Sequence, residues 1–143
     1  MIGSYLIDTS GIWQILRDWD VRTRWIGPIE AGLIKICAPT RLEYLYSAES
    51  PARRDEMEEE LTTLFEGVAV PKDAWRWSEH GQYKLTQKGQ HRGPGPVDLV
   101  LCATAVHHGL TVLHADNDFT TVSRVLPEVT EKDIRRTESL PDH

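Results

Sequence analysis

Four carboxylates occupy corresponding places in separate apolar segments of this 143-residue chain. Asp8 and Asp116 follow short apolar runs, in the sequences SYLIDTSG and LTVLHADNDF. Asp98 opens an apolar segment after the sequence GPGP, and Glu43 lies early in another segment with helical spacing. If the fold brings these acids together, they repel one another, which raises their pKa values and destabilises the fold. The pattern therefore predicts one or two bound divalent cations, Mg²⁺ or Mn²⁺, for which carboxylate oxygens are suitable ligands.

Such cations would support hydrolysis of a phosphodiester. A bound metal lowers the pKa of water, and a second metal roughly 4 Å away stabilises the departing oxygen. The hydroxyls of Thr9 and Ser10 could hydrogen-bond a carboxylate, a metal-bound water or a phosphate oxygen, although both also suit a helix cap. His114 is close enough in the sequence to Asp116 to support that carboxylate. Alternatively, the His114 side chain is packed in the protein or exposed to solvent. The scattered histidines and cysteines form no zinc-binding pattern.

Each acid also has a purely structural interpretation. Asp8 could form a turn, Asp98 could cap its own helix, and Glu43 could be an ordinary surface acid. One of Asp116 and Asp118 is expected to cap the helix that follows, and Asp118 is the better placed of the two. The metal interpretation therefore depends on all four acids meeting in one pocket.

Size and composition indicate one ordinary domain spanning residues 1–143. Hydrophobic residues make up 40% of the chain and charged residues 27%, as is typical of globular proteins. No apolar run approaches the length of a membrane span and the N-terminus has no signal-peptide pattern, so we expect a cytoplasmic protein. Cys37 and Cys102 lie in apolar contexts and are expected to be buried, reduced thiols.

The distribution of charge is more informative than the net charge of −6, which argues against non-specific binding of nucleic acid. Residues 55–60 contain five acids and are predicted to face solvent or a partner, away from the metal site. Residues 80–97 contain no acid. This acid-free stretch forms a local basic strip that suits a polyanion such as RNA and contains Lys84, Lys88, His91 and Arg92.

Strands alternate with helices along the chain. The predicted strands are residues 4–8, 33–38, 68–70 and 111–114, with an edge strand near Ile134 if the tail from about residue 128 is not partly disordered. The predicted helices are residues 10–18, 21–31, 51–66, 71–87, 97–108 and 119–125. A further helix is predicted to open at Pro39 and Thr40, with Leu42, Leu45 and Tyr46 on one face. This order predicts a three-layer α/β/α fold around a mainly parallel sheet of four or five strands.

The sequences LIDTSG and GPVDLVLCATAVHHGLTVLHADNDF, together with Glu43, resemble the PIN-domain ribonucleases, in particular the VapC toxins of bacterial toxin–antitoxin pairs. The resemblance extends over residues 4–126. Its most specific part is residues 96–119, where an acid opens an Ala-containing helix and a Gly stop, a strand and an Asp-x-Asp-Phe ending follow in order.

The resemblance implies roles for individual residues. Asp8 and Asp98 match the acids that most directly ligate Mg²⁺, for which Mn²⁺ could substitute, and Glu43 and Asp116 match the rest of the acidic set, with Asp116 also a metal-site residue. Asp118 matches an additional acid, and Ser10 a hydroxyl beside the site. The family further implies a PIN-like fold, endoribonuclease activity on tRNA or rRNA that stops translation, a VapB-type antitoxin partner and a homodimer.

Three other functions compete with the toxin interpretation. A housekeeping PIN nuclease in RNA processing would have the same residues, and a neighbouring reading frame for an antitoxin would separate the two. A non-catalytic PIN-fold interaction module would not need every acid of the set. An aspartate-based phosphatase also begins with a strand ending in Asp, but its second Asp, two residues later, is replaced here by Ser10.

Overall fold

The computed structural model describes residues 3–137, which form five strands and seven helices. In chain order they are β1 Tyr5–Ile7, α1 Thr9–Arg17, α2 Trp19–Glu30, β2 Ile34–Ile36, α3 Ala38–Leu45, α4 Pro51–Leu64, β3 Glu66–Gly67, α5 Ala74–Gln87, α6 Pro96–His108, β4 Thr111–His114, α7 Asn117–Val125 and β5 Glu131–Asp133.

The strands form one parallel sheet in the order β3-β2-β1-β4-β5. The central strand β1 pairs with β2 on one side and with β4 on the other, and Ile7 lies opposite Leu113. The chain therefore changes direction across the sheet between β1 and β4. Ligands of open α/β sheets bind outside the carboxyl ends of the strands at such a switch point. Asp8 follows β1 directly, and Asp116 follows β4 by two residues.

Helices cover both faces of the sheet. Successive strand residues point to opposite faces, so Ile7 packs into a core with residues of α1, α2 and α4, whereas Leu6 packs with residues of α5, α6 and α7. Helix α6 is buried along most of its length and ends at Gly109, which has a left-handed backbone with φ of 68°. The predicted three-layer α/β/α architecture and its parallel sheet are confirmed.

The third strand was predicted at the wrong place. The prediction chose the apolar residues 68–70, but the strand is the polar pair Glu66–Gly67, and α4 ends at Leu64 instead of residue 66. Glu66 pairs in register with Lys35 on β2, and its Oε1 lies 2.7 Å from Lys35 Nζ. An edge strand needs only one paired side, so this short strand carries none of the apolar signal used for the prediction.

The predicted apolar face of α3 is also wrong. Leu42 and Tyr46 are 67% and 92% exposed, and only Leu45 of the three predicted residues is buried. The buried face is instead formed by Thr40, Tyr44 and Leu45. Leu42 lies about 200° around the helix from Thr40, because each residue turns roughly 100°.

The C-terminal segment does add an edge strand, since β5 pairs with β4 and Ile134 is fully buried beside it. The rest of the predicted tail, residues 138–143, lies outside the described residues. Cys37 and Cys102 are buried and unbonded to each other, as expected. Between residues 3 and 137, none of the helices is both long enough and apolar enough to cross a membrane.

Candidate active site

Asp8 is held at the end of β1 by the residue two positions later. Its Oδ2 accepts hydrogen bonds from the backbone N–H and the hydroxyl of Ser10, at 3.0 and 2.6 Å. The Ser10 oxygen in turn accepts the backbone N–H of Ala115 at 2.9 Å. Ser10 is therefore not the helix cap that its sequence position suggested. Helix α1 begins one residue earlier, at Thr9, and Asp8 itself is the N-cap.

Asp98 lies in the first turn of α6, where its Oδ2 accepts the backbone N–H of Gly95 at 2.9 Å. The carboxylate thus does cap the helix, as its structural interpretation required. Burial raises the pKa of Asp98 to about 6 against the Gly95 hydrogen bond, and repulsion from Asp8, Glu43 and Asp116 adds to the rise. The role of Asp98 as a helix cap does not by itself explain why three other acids lie near it.

Glu43 belongs to α3 and is exposed at the edge of the site. Its Oε1 accepts the hydroxyl hydrogen of Thr9 at 2.6 Å, across 34 positions of sequence. Because Thr9 is the first residue of α1 and directly follows Asp8, this bond attaches Glu43 to the rim formed by β1.

Asp116 is the N-cap of α7, and its Oδ1 accepts the backbone N–H of Asp118 at 2.9 Å. The prediction that Asp118 would cap this helix is wrong, because α7 begins at Asn117, two residues earlier than expected. Asp118 is half-buried in the first turn, and burial followed by repulsion from Asp116 raises its pKa.

The fully buried His114 forms a hydrogen bond that holds the backbone at Asp116. Its Nδ1 accepts the backbone N–H of Asp116 at 3.0 Å, so the ring hydrogen lies on Nε2, which donates to Oε1 of Glu131 at 2.7 Å. Glu131 also accepts the hydroxyl hydrogen of Thr120 at 3.3 Å. No pattern in the sequence points to Glu131, because its contact with His114 depends on the pairing of β5 with β4.

The four acids share one electrostatic environment. Burial is the largest cause that raises the pKa of Asp8, hydrogen bonds from Ser10 and Thr9 oppose it, and repulsion from Glu43 adds to it. Asp98 is repelled by the other three acids. The structure therefore brings Asp8, Glu43, Asp98 and Asp116, which belong to four different elements, to the same edge of the sheet.

The donor set suits a hard divalent cation, but the side chains do not already surround one. Nowhere in residues 3–137 do three or more carboxylate, imidazole or thiolate side chains lie close enough together to hold a metal ion. The hydrogen bonds that Glu43, Asp98 and Asp116 accept from described residues each go to one oxygen only. The second oxygen of each accepts no hydrogen bond from a described residue and is the kind of donor that a hard divalent cation prefers.

The basic strip approaches the acids through a short loop. Lys84 and Lys88 are exposed on and just after α5, and Arg92 is exposed in the loop before α6. In this loop Gly93 lies so close to Asp118 that an added Cβ would be 2.8 Å from its Oδ1. The acidic run lies on α4, where Glu58 pairs with Arg41 and Arg54 and Glu56 pairs with Arg53.

Sequence comparison relates this chain to a family of known proteins. The PIN-domain family model matches residues 5–125. Ribonuclease VapC2 of Mycobacterium tuberculosis (strain CDC 1551) is 38% identical over 130 residues, which cover 90% of this chain and 91% of that protein. Ribonuclease VapC6 of the same strain is 36% identical over 106 residues, covering 74% of this chain and 81% of its own.

Solved structures share the fold at lower identity. The DNA-bound VapBC structure from Salmonella typhimurium has a TM-score of 0.73 at 22% identity and covers 93% of this chain and 99% of the matched chain. The FitAcB structure from Neisseria gonorrhoeae has a TM-score of 0.70 at 18% identity, with the same coverage of both chains. At this identity the likeness concerns the fold alone.

Proposed function

Because this chain belongs to the PIN-domain family and to its VapC ribonucleases, we propose that it is a divalent-metal-dependent endoribonuclease and the toxin of a toxin–antitoxin pair. One observation carries the proposal. Asp98 is repelled by Asp8, Glu43 and Asp116, three acids from three other elements, at the switch point of the sheet. A fold that gathers four carboxylates here gains stability and reactivity from a cation.

In this proposal Asp8, Asp98 and Asp116 hold Mg²⁺, or Mn²⁺ in its place, and Glu43 completes the catalytic set. When bound, the cation supplies a lowered pKa for water and neutralises charge on the scissile phosphate. Ser10 fixes the Asp8 carboxylate through its 2.6 Å hydrogen bond. Thr9 holds Oε1 of Glu43, so that the exposed Oε2 is available to take a proton from the attacking water. Asp118 is an auxiliary acid beside Asp116.

The proposed substrate is a single-stranded region of tRNA or rRNA. The backbone of an unpaired loop can bend so that one phosphate enters a site at the edge of a sheet, whereas the backbone of a regular duplex is stiff. Lys84, Lys88 and Arg92 are proposed to bind the RNA, since their side chains are exposed and the loop after Lys88 leads to the acids. Cleavage of either RNA would stop translation.

The proposed partners follow from the related proteins. The structures that share this fold include VapBC and FitAcB assemblies, so we propose a VapB-type antitoxin as the inhibitor of this chain. We further propose a single PIN domain over residues 1–143 that forms a homodimer and acts in the cytoplasm.

Cleavage of RNA by purified protein tests the proposed activity. The wild type should cleave total cellular RNA with Mg²⁺ or Mn²⁺, and EDTA or Asp98→Asn should abolish cleavage. Asp55→Asn, which removes one exposed acid of the α4 run, is the matched control and should cleave normally. Cleavage that survives both EDTA and Asp98→Asn would refute the metal-site mechanism. Sequencing the 5′ ends of RNAs cleaved in cells, with and without the neighbouring gene, would identify the target and the antitoxin.

A further inference from the structure

A crevice between α5 and α7 lies beside the acidic site but outside it. It contains a cavity of about 390 Å³ lined by Lys88, Gln90, Thr121, Arg124 and Val125. We call it the α5–α7 crevice. Its lining contains two cations, two neutral polar side chains and no carboxylate, in a protein whose net charge is −6.

The cations of the crevice and of the neighbouring basic strip have no partners among residues 3–137. Several other cations are paired with a carboxylate, among them Lys35, Arg41, Arg53, Arg54 and Arg135. In contrast, the side chains of Lys84, Lys88, Arg92 and Arg124 form no hydrogen bond or ion pair within the part of the chain that the structure describes. Unpaired cations gathered on one face of an acidic protein indicate a surface that binds an anion.

The loop of residues 88–95 connects the crevice to the acids. Lys88 and Gln90 line the cavity at its start, and Gly95 at its end donates its N–H to Asp98. Between them Gly93 packs against the Asp118 carboxylate, so closely that a Cβ on Gly93 would require that side chain to shift.

Helix α7 makes the second connection, because Asp116 is its N-cap and its later residues line the crevice. At 1.5 Å per residue, Thr121 and Arg124 lie roughly 8 and 12 Å further along the helix axis than Asp116. A strand whose phosphate lies at the acids would therefore reach the crevice within a few nucleotides.

We propose that the α5–α7 crevice is a phosphate-binding subsite for the RNA strand that enters the acidic site, with Lys88 and Arg124 as its cationic ligands. The inference rests on the proposed function and deepens it. The Arg124 guanidinium offers paired N–H donors that match two phosphate oxygens, and the Lys88 ammonium adds a point charge. The Gln90 amide and Thr121 hydroxyl supply neutral hydrogen bonds. These contacts address the backbone, so they hold RNA of any sequence.

Binding of RNA without cleavage tests the subsite separately from catalysis. The probe is a fluorescein-labelled pool of random-sequence single-stranded RNA 20 nucleotides long, measured by anisotropy in EDTA between 50 and 300 mM KCl. The variant is Lys88→Gln with Arg124→Gln. The matched control is Lys72→Gln with Arg22→Gln, which removes one lysine and one arginine charge from other surfaces where neither side chain has a partner among residues 3–137.

The crevice variant should bind the RNA about tenfold more weakly at 100 mM KCl, and its plot of log affinity against log salt should be less steep by about 1.4, from roughly 0.7 per phosphate contact on a single strand. The control should retain the parent slope. The charge-conserving variant Lys88→Arg with Arg124→Lys should also retain the slope, because the number of cations is unchanged. In steady-state cleavage with Mg²⁺, the crevice variant should raise KM and leave kcat unchanged.

Equal slopes for the crevice variant and the parent, or equal losses in variant and control, would overturn the subsite. An unchanged RNA affinity of the crevice variant would overturn it too. A parent protein that binds no RNA would overturn it as well. A parent that binds RNA through the crevice but never cleaves it would refute the proposed activity and leave the subsite standing.

Discussion

Ser10 joins the Asp8 carboxylate, at the end of β1, to the segment that follows β4. The Ser10 hydroxyl donates to Oδ2 of Asp8 at 2.6 Å and accepts the N–H of Ala115, which follows β4, at 2.9 Å. A single hydroxyl therefore sets the Asp8 carboxylate relative to the segment that carries Asp116. This arrangement requires an oxygen that both donates and accepts, which only a hydroxyl of this size provides at that position.

Replacing this hydroxyl should weaken both the fold and the binding of metal. Ser10→Ala leaves the Ala115 N–H and Asp8 Oδ2 each without one partner, which costs about 1–3 kcal/mol of unfolding free energy. We expect the Mn²⁺ concentration for half-maximal cleavage to rise about tenfold. Ser47→Ala is the control, since the hydroxyl that it removes donates to the Tyr44 carbonyl, at a distance in the sequence from both Asp8 and Ser10. Equal metal requirements in the two variants would exclude Ser10 from the positioning of Asp8.

Metal-free protein should lose stability as pH rises through about 6. Burial and three neighbouring acids raise the pKa of Asp98 to about 6 from an ordinary 3.8. Because the folded-state pKa is the higher one, the contribution of this group to stability is fully present below about 3.8 and is lost as pH rises through about 6. The difference should be about 1–2 kcal/mol, since partial exposure and solvent screening reduce the effect of the shift.

Asp98→Asn should remove this pH dependence and stabilise the metal-free protein near pH 7, because the repelling charge is gone. Urea unfolding in EDTA at pH 4.5, 6 and 7.5 would measure both effects. A variant less stable than the wild type at pH 7.5, with an unchanged pH profile, would contradict the repulsion inferred at Asp98.

His114 should influence the site through its Nδ1 atom. Asn at position 114 offers Oδ1 near the position of Nδ1 and can still accept the Asp116 N–H, whereas Leu cannot. We therefore expect His114→Asn to retain the Mn²⁺ dependence of cleavage and His114→Leu to require roughly tenfold more Mn²⁺. Both variants lose the 2.7 Å bond to Glu131 and should lose stability. If both variants shift the Mn²⁺ requirement alike, the Nδ1 bond does not orient Asp116.

Two glycines in neighbouring helices should respond differently to alanine. A Cβ on Gly11 would lie 2.9 Å from the Leu113 carbonyl oxygen and 2.9 Å from Ile7 Cγ1, so Gly11→Ala should cost about 1–3 kcal/mol by pushing α1 off the sheet. A Cβ on Gly27, inside α2, would meet nothing within 4 Å beyond its neighbours in the chain. Gly27→Ala should be close to neutral, because the roughly 0.5–1 kcal/mol that alanine gains over glycine in a helix is opposed by crowding of the new Cβ against the ring of Pro28. Chemical denaturation measures both, and a neutral Gly11→Ala would contradict the close approach of α1 to β4.

The sequence predicted where Asp8 and Asp116 lie in the fold better than it predicted the ends of the helices. The positions of Asp8 and Asp116 follow from the direction of parallel strands, which the alternation of strands and helices already implied. Helix starts shifted by one or two residues were enough to exchange the roles of Ser10 and Asp8, and of Asp118 and Asp116, as helix caps. Cap assignment depends on the backbone angles of single residues, which periodicity does not define.

Contacts between segments that are far apart in the sequence could not be predicted from the sequence. Glu131 acts on His114 only because β5 pairs with β4, and Arg124 faces Lys88 only because α7 packs beside α5. The short strand Glu66–Gly67 exists because β2 offers it a partner. Each of these depends on tertiary packing, which no local pattern of residues encodes.

The most direct test is a calorimetric titration of Mn²⁺ into the purified protein near pH 7.5, for the wild type, Asp8→Asn, Asp98→Asn and the control Asp55→Asn. Acids that converge on a shared cation should bind Mn²⁺ in the wild type and the control alike, and each substitution at Asp8 or Asp98 should weaken binding at least tenfold. Unchanged affinity in both site variants would contradict the convergence of these acids on one metal.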